Sequence, residues 1–417
     1  MATKESDGAQ LGDKSLDRGL HRQGILLLAI LFLGYAVYAA DRLVLSAVLK
    51  PMSISLGLSD LQKGLLSSAQ YIGVAAVVFM AGSLSDRYGA RRIILLGIVV
   101  FTGFTWIVAF SADFAQAFVF RLVSGLGEGL FWPVAMAFVA NYFRARKGFA
   151  LGIFYVGFDV GQASGLFIGG STYASTGDWR TAFLVAPVMG VAVIAGLLFA
   201  SSAFASADTR VGRVALGREA FALVKRRSTV LIMAFALLAT WASVWVVVFL
   251  PYYYATSLGA SVAVADYLTA GVAVAGAAGK VILGTISDRV RRDRMLALIS
   301  AGVVGLYALF FTAANIEIAA LTALAMGFLS SAVFPIVQSL MADSCGSQTG
   351  TGLGLTTSAQ SVATVFAPTI NAYLFYLGVG RALALDAMIP ALLMLVVAFF
   401  LGDPRLSSAP PQRASNT

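Results

Sequence analysis

Apolar runs follow one another along the chain and are separated by short polar segments. Each run is near or above the ~20 residues that an α-helix needs to cross a bilayer. The pattern predicts an all-α membrane protein with twelve transmembrane helices, over residues 24–49, 62–85, 93–111, 114–141, 148–171, 180–201, 230–254, 263–286, 296–313, 317–341, 351–377 and 382–402.

The second half of the chain repeats features of the first half. The turn GSLSDRYGARR, which begins at Gly82, has a counterpart in GTISDRVRR, which begins at Gly284. Other residues match at the same offset of 202 positions, for example Pro133 with Pro335. Chance does not place several matches at one offset, so we interpret the chain as two homologous halves of six helices each.

The composition agrees with a membrane protein and excludes several other classes. Of the 417 residues, 59% are hydrophobic and 12% are charged, about half the charged fraction of a soluble domain. The single cysteine, Cys345, rules out an internal disulfide framework, and the lone histidine, His21, lies in the polar N-terminal segment. We see no motif for a nucleotide, a metal or a catalytic serine, and we expect no cofactor.

The basic residues predict how the chain is oriented. If successive helices alternate in direction, 22 of the 29 Lys and Arg residues lie on the side of the N-terminus and 4 on the other side. This bias predicts a cell (inner) membrane protein with both termini in the cytoplasm. It also explains the net charge of +9 by contact with an anionic leaflet rather than with nucleic acid.

These observations predict five segments. They are a disordered cytoplasmic tail, an N-terminal six-helix bundle, a basic cytoplasmic linker, a C-terminal six-helix bundle and a second cytoplasmic tail, over residues 1–22, 23–201, 202–229, 230–402 and 403–417. The linker has apolar residues between its basic ones, a pattern that suits a helix lying on the inner leaflet.

The doubled Gly-x-x-x-Asp-Arg turn on a six-plus-six plan resembles the major facilitator superfamily, over nearly the whole chain. The resemblance implies two bundles around a central cavity that opens alternately to either side. It also implies an inner latch in which glycines permit close helix contact and aspartates accept hydrogen bonds. A solvated basic turn is the alternative, but it does not explain the repeated Gly and Asp. The implied latch and gating residues are Gly82, Asp86, Arg87, Arg91, Arg121, Gly284, Asp288 and Arg289.

Ionisable residues inside membrane helices are costly, which makes them the first candidates for function. Asp41 and Arg42 in the first helix, with Glu128 between glycines in the fourth, resemble the anion:cation symporter branch of this superfamily. That resemblance implies that Arg42 binds an organic anion and that Asp41 and Glu128 handle protons. The alternative for Asp41 and Arg42 is a wet helix end that anchors the outer interface.

Two further charges lie within predicted helices. Lys280 resembles, by its position, a substrate-binding arginine of monocarboxylate and oxalate carriers, but lysine lacks the bidentate fork of arginine. A purely structural pair with a carboxylate or a helix-end carbonyl therefore stays open for Lys280. Asp159 is a second proton site, a counter-ion for Arg42 or Lys280, or a ligand for a polar group of the cargo.

Uncharged residues complete the candidate substrate site. Tyr71 lies one turn before Val74, which stands where the symporter branch tends to have a substrate-facing tyrosine. The other candidates are Gln162, Tyr253, Gln360 and Asn371. Helix packing is the alternative for each of them, and it is the more common role of such residues in membrane helices.

We therefore expect a monomeric secondary active transporter, not an enzyme, that moves a small carboxylate together with protons by alternating access. The runner-up is a proton-driven exporter of a drug or metabolite. The fifth helix of such an exporter normally has a Gly-Pro-rich signature, whereas here the glycines occur without the proline. A receptor or structural protein would leave the charges inside the helices without a use.

Cysteine labelling tests the predicted orientation. In a Cys345→Ser background, a cysteine placed within residues 202–229 should react with a membrane-impermeant maleimide only after the cells are opened. A cysteine at Ser261, in a predicted outer loop, should react in intact cells and serves as the control. Labelling of the linker from outside would overturn the whole topology.

Overall fold

A computed structural model describes residues 3–143, 147–199, 218–287, 289–313, 315–345 and 349–401. It describes side chains from Gln23 onward, apart from residues 79, 83, 86, 140, 147–149, 218–220 and 349–351. The regular structure in these segments is helical: α1 Thr3–Ser55, α2 Asp60–Tyr88, α3 Ala90–Val108, α4 Phe114–Tyr142, α5 Lys147–Thr176, α6 Arg180–Val185, α7 Val188–Phe199, α8 Arg218–Val224, α9 Arg227–Val248, α10 Leu250–Ser257, α11 Val262–Ser287, α12 Arg292–Phe311, α13 Ile316–Cys345, α14 Thr349–Tyr373, a 3₁₀ turn Leu374–Leu377 and α15 Val379–Leu401.

The prediction of an all-α membrane protein is confirmed. Within the described residues, ten helical stretches are long and apolar enough to cross a bilayer. Helices α2 and α14 coincide with two other predicted runs but are not among the ten. They pack against each other, with the hydroxyls of Ser68 and Thr369 2.9 Å apart. Polar residues such as Ser68 and Thr369 lower the hydropathy of these two helices, and this pair lies in the contact between them.

Proline divides two of the predicted spans. The run predicted over 180–201 forms α6 and α7, which meet at Pro187, and the run over 230–254 forms α9 and α10, which meet just before Pro251. Proline has no N–H to donate and clashes with the preceding turn, so the helix is interrupted there. The hydropathy of a run does not register such a break, because proline leaves the rest of the run apolar.

The segments at the ends of the chain differ from the prediction or lie beyond what the structure describes. Helix α1 begins at Thr3, where the sequence predicted a disordered tail up to residue 22. Twelve of the first 22 residues are good helix formers, and none is a proline, so local sequence does not prevent the helix. The tail 403–417, most of the linker and Asp288 lie outside the described residues, as does the side chain of Asp86.

Glycines set the distance between α1 and α5. Gly157, Gly161 and Gly165 occur every fourth residue of α5 and face the backbone of Phe32, Ala36 and Ala40 on α1, respectively. A Cβ added at Gly161 would clash with the carbonyl oxygen of Ala36. Small residues at such a spacing let two membrane helices approach at backbone contact.

The close helix contact predicted at Gly284 is not formed in this structure. A Cβ added there would meet no atom within 4 Å. Gly284 lies in the last turn of α11, where the described residues leave open space beside the helix. The repeated motif therefore does not place both of its glycines in tight helix contacts in this conformation.

Contacts between the two halves of the chain close one face of the molecule. Ser46 on α1 donates to the carbonyl oxygen of Val247 at 2.9 Å, and Lys50 donates to that of Ala255 at 2.5 Å. Lys63 on α2 donates to the hydroxyl of Tyr252 at 3.2 Å. We call this face, which holds residues 56–59 and 258–261, the outer face, following the orientation that the charges predict.

The α1–α5 contact predicts different effects for two identical substitutions in one helix. Gly161→Ala should destabilise the protein by about 1–3 kcal/mol, because the new methyl group overpacks a backbone contact. Gly152→Ala should be neutral or mildly stabilising, since a Cβ there meets nothing within 4 Å and alanine favours the helix. Thermal unfolding midpoints in detergent measure both, and equal midpoints would contradict the assigned contact.

Candidate functional site

Four charged side chains from two helices meet in the interior. Asp41 and Arg42 lie on α1, and Arg121 and Glu128 lie on α4. The Glu128 side chain is fully buried, and those of Asp41, Arg121 and Arg42 are 3%, 2% and 13% exposed. Such a group of charges is stable in a low-dielectric interior only when each charge has a partner.

The two cations pair with the two acids in a crossed order. Arg42 binds Glu128 with its Nε and Nη2 atoms, each 2.8 Å from Oε2. Arg121 binds Asp41, with Nη1 3.1 Å from Oδ1. Adjacent residues point about 100° apart on a helix, so Asp41 and Arg42 reach different partners. Arg121 and Glu128 lie two turns apart on one face of α4, so each can bind one of the two charged residues of α1.

Gln70 on α2 joins the two ion pairs. Its Nε2 donates to Asp41 Oδ2 at 2.8 Å and to Glu128 Oε1 at 2.7 Å, and its Oε1 accepts from Arg121. Thr105 and Ser124 also donate to Asp41, at 2.5 and 2.8 Å. Among the described residues, the Asp41 carboxylate thus accepts from four side chains, whereas Glu128 accepts from Arg42 and Gln70.

Arg42 is also in contact with two aromatic rings and a cavity. Its guanidinium carbon lies 4.3 Å from the ring centroid of Tyr38 and 4.8 Å from that of Tyr71. The cavity is small and is lined by Arg42, Leu45, Ser46, Ser67, Gln70, Tyr71, Arg121, Val247 and Val248. Guanidinium and hydroxyl groups beside apolar side chains suit a small anion with an apolar part.

A second, partly buried ion pair connects the two halves. The ammonium of Lys280 on α11 lies 2.5 Å from the carboxylate of Asp159 on α5, and the Lys280 side chain is 29% exposed. The same ammonium lies 5.8 Å from the ring of Phe158, which is 6.2 Å from the ring of Tyr38. The two ion pairs are therefore linked through the Phe158 and Tyr38 rings.

The other predicted substrate residues lie in different surroundings. Tyr71 contacts Arg42, and Gln162 is half-buried on α5 next to Gly161. Gln360 accepts from Gln338 at 3.4 Å. The ring of Tyr253 instead packs against Phe310 at 5.3 Å, and Asn371 is fully buried. We therefore leave Tyr253 and Asn371 out of the site proposed below.

The motif residues form contacts of several kinds. Arg91 donates to the carbonyl oxygens of Leu197 and Leu198 at the end of α7, at 3.4 and 3.3 Å. Arg87 lies over the ring of Tyr88, and Arg289 is exposed. Arg91 thus satisfies helix-end carbonyls, while the aspartates of the motif lie outside what is described.

Sequence reasoning missed several residues of this interior. Gln70, Thr105 and Ser124 carry no charge, and a single polar residue in a helix gives no sign of its partner. Asp266 and Asp386 lie within predicted spans and deserved the same attention as the other acids. Asp386 accepts from Trp241 at 2.8 Å, whereas both carboxylate oxygens of Asp266 lack a partner among the described residues.

Membrane-spanning helices around paired charges and an interior cavity define a polytopic membrane transporter. The chain belongs to the Major Facilitator Superfamily, whose family model matches residues 31–250 and 229–416. Its relatives are transporters, so the prediction that the chain is not an enzyme is confirmed. The predicted resemblance to organic-anion transporters of this family is confirmed as well.

Several relatives have names that specify a cargo. The hexuronate transporter of Bacillus subtilis (strain 168) is 28% identical over 72% of this chain and 74% of its own length. The 3-(3-hydroxy-phenyl)propionate transporter of Escherichia coli (strain K12) is 24% identical over 85% and 88%. The methylenomycin A resistance protein of Bacillus subtilis (strain 168) is 26% identical over 53% of this chain, and the match spans only half of that relative.

Solved structures share the fold at low sequence identity. A bacterial homolog of the human lysosomal transporter Spinster, in an inward-facing and unoccupied conformation, superposes with a TM-score of 0.74. It is 16% identical over 91% of this chain and 95% of its own. A D-xylose-proton symporter superposes with a TM-score of 0.69 at 17% identity, over 89% and 97%. At these identities the likeness establishes the fold alone.

The ion pair between Arg121 and Asp41 predicts a large loss of stability on mutation. Arg121→Gln should cost about 3–5 kcal/mol, because it leaves the buried Asp41 carboxylate without its cation. Arg291→Gln, which removes an exposed pair with Asp293, should leave the unfolding midpoint nearly unchanged. Thermal unfolding in detergent compares the two, and equal small shifts would show that Arg121 is not essential to the network.

Proposed function

We propose that the chain is a proton-coupled symporter of a small organic carboxylate that works by alternating access. The observation that carries the proposal is that Glu128 binds Arg42, one of the two arginines that line the cavity. The proposal includes two six-helix bundles with twelve spans, counting α2 and α14 among them. It places the protein in the cell membrane with both termini in the cytoplasm.

Coupling follows from competition for one guanidinium. A substrate carboxylate and the Glu128 carboxylate are chemically equivalent acceptors, and Arg42 binds Glu128 in the structure. When Glu128 takes up a proton, its hold on Arg42 weakens and the guanidinium becomes available to the substrate. Substrate and proton then bind together, and neither binds well without the other, which is the requirement for symport.

The electrical cost of inward movement also favours coupling. An organic anion that enters against a negative interior opposes the membrane potential by ~2.3 kcal/mol per charge for each 100 mV. A co-transported proton compensates one such charge. Asp41 is a second candidate proton carrier. It pairs with Arg121 and accepts a hydrogen bond from Gln70, which also donates to Glu128.

The Lys280–Asp159 pair repeats this arrangement across the two halves. Protonation of Asp159 would release the Lys280 ammonium, which is already partly exposed. A substrate bound between Arg42 and Lys280 would contact both halves of the chain at once. Tyr71, Gln162 and Gln360 then contribute polar contacts, and the carboxylates Asp41, Glu128 and Asp159 carry protons.

The names of two relatives support an organic anion as cargo. One is named for hexuronate and the other for a substituted propionate, and both names denote carboxylates. The chain matches both over more than two thirds of its length. The wall of the cavity, with Arg42 and Tyr71 beside valine side chains, has the chemistry that suits a carboxylate with an apolar or hydroxylated body.

A proton-driven exporter is the second candidate, favoured by the similarity to the methylenomycin A resistance protein. In an exporter that works by antiport, proton and cargo compete for the carrier instead of binding together. The two functions therefore predict opposite effects of pH on cargo binding. Lowering the pH strengthens cargo binding in the symporter and weakens it in the antiporter.

Glu128→Gln tests the proposal in proteoliposomes. This substitution mimics a permanently protonated carrier, so we expect it to keep substrate counterflow but to lose uphill uptake driven by a pH gradient. We also expect carboxylate binding to become nearly independent of pH, while the unmodified protein gains up to about tenfold in affinity per pH unit on acidification. Candidate probes are hexuronates and phenylpropionates at pH 5.5–8.

Two control variants limit the interpretation. Arg42→Ala should lose at least about tenfold in affinity, because a charge-assisted hydrogen bond is worth at least ~1.5 kcal/mol. Asp178→Asn, which changes an exposed loop carboxylate, should behave like the unmodified protein. Gradient-driven accumulation by Glu128→Gln at the normal rate would place proton coupling at another carboxylate.

A further inference from the structure

Asp266 is a carboxyl group that the site described above does not use. It lies in the second turn of α11, near the outer face, and its side chain is fully buried. Both of its carboxylate oxygens lack a hydrogen-bond partner among the described residues. An ionised carboxylate in such a place has neither water nor a counter-charge, so the neutral acid is the form that this environment holds.

The burial of Asp266 depends on contact between the two halves of the chain. It faces Gly170 of α5, where an added Cβ would lie 2.9 Å from both the Cβ and an oxygen of Asp266. Ala263 approaches the same glycine, and the rings of Phe167 and Tyr267 meet 5.4 Å apart beside it. The lack of a side chain at Gly170 is thus what allows α11 to close over its own carboxyl group.

The helices packed against α11 are α1, α5, α10 and α13, and no described residue of these helices supplies a partner for Asp266. On α1, Lys50 is bound to the carbonyl oxygen of Ala255, and on α10, Tyr254 donates to that of Ala319. Asp159 on α5 is bound to Lys280. The remaining titratable groups towards the outer face are Tyr173, Tyr252, Tyr253, Tyr267 and Glu317, of which Glu317 is exposed. Burial alone therefore governs the charge of Asp266.

We propose that Asp266 is a proton-binding site of the outer gate. It holds a proton while α5 and α11 are in contact and releases it to the outer side when the two helices separate. The proposal rests on the alternating access proposed above, because a carboxyl group between α5 and α11 regains water only if they part. It assigns to this proton the control of closure rather than the transport of the cargo.

Linkage gives the size of the effect. If the closed state holds one proton more than the open state, the ratio of closed to open molecules rises up to about tenfold for each unit by which the pH falls. Acid on the outer side then favours closure of the outer face even when no cargo is bound. The proton returns to the side from which it came, so it does not contribute to the charge moved per cycle.

Distance measurements between spin labels test the proposal without substrate or transport. Labels at Ser175→Cys and Ser261→Cys, in a Cys345→Ser background, report the separation of the outer ends of α5 and α11. In this protein the closed fraction should rise as the pH falls from 8 to 5.5. Asp266→Asn should stay closed at pH 8. Its closed-to-open ratio should lose the dependence on pH, up to about tenfold per pH unit, that the Asp266 proton confers.

Matched variants separate this site from the other carboxylates. Glu317→Gln changes an exposed acid on the neighbouring α13 and should leave the pH dependence unchanged. Gly170→Ala adds a methyl group against Asp266 and should lower the closed fraction at every pH. Asp266→Ala replaces Asp266→Asn if the amide variant does not fold.

The outcomes also distinguish this proposal from the proposed symport. An unchanged pH dependence in a folded Asp266→Asn or Asp266→Ala variant overturns the gate proton, whatever Glu128→Gln does to transport. A reduced dependence supports it even if Glu128→Gln still accumulates substrate, since the measurement contains neither cargo nor gradient. Labels that never change separation with pH would also overturn it, because closure would then be independent of protonation.

Discussion

The pairing of charges between α1 and α4 is the constraint on which the rest of the interior depends. Two cations and two acids lie within a few ångströms of each other and are almost completely buried. None of them is tolerable in a low-dielectric interior alone, so their mutual positions must be maintained together. Gln70 extends this constraint to α2, because its amide is bound to three of the four charges. Helices α1, α2 and α4 are therefore held in one arrangement by polar contacts as well as by packing.

Close helix contact is what makes this network possible. Gly73 and Gly125 lie where α2 crosses α4, and a Cβ at either would clash with the carbonyl oxygen of Leu122 or Gln70. The same backbone approach brings the amide of Gln70 between Asp41 and Glu128. On the other side of α1, the glycines of α5 bring Asp159 and Phe158 towards the centre. Glycine thus sets the distances between the helices. The side chains that face each other at those distances determine which polar contacts form.

The buried acids of the described interior lie in different electrostatic settings. Asp41 accepts from four side chains, Glu128 and Asp159 are each paired with a cation that is partly accessible, and Asp266 has no partner among the described residues. A change of protonation therefore has a different consequence at each. At Glu128 or Asp159 it alters the availability of a cation, and at Asp266 it alters the cost of contact between α5 and α11. The carboxyl group can serve both the proposed coupling and the proposed gating because its neighbours differ.

The sequence by itself determined where the membrane helices lie and which charges enter them. Hydropathy is a local property, so the runs that contain Arg42, Glu128 and Lys280 were recognisable without a partner in view. The repeated turn and the family followed from residues that are near each other in the chain. Only the tertiary structure decided that Arg121 binds Asp41, that Arg42 binds Glu128, and that Gln70 joins them. It also decided that Tyr253 packs in a helix interface and that Asp266 is buried without a partner among the described residues. These outcomes depend on which helices meet and on the rotation of each about its axis, and a single sequence does not specify either.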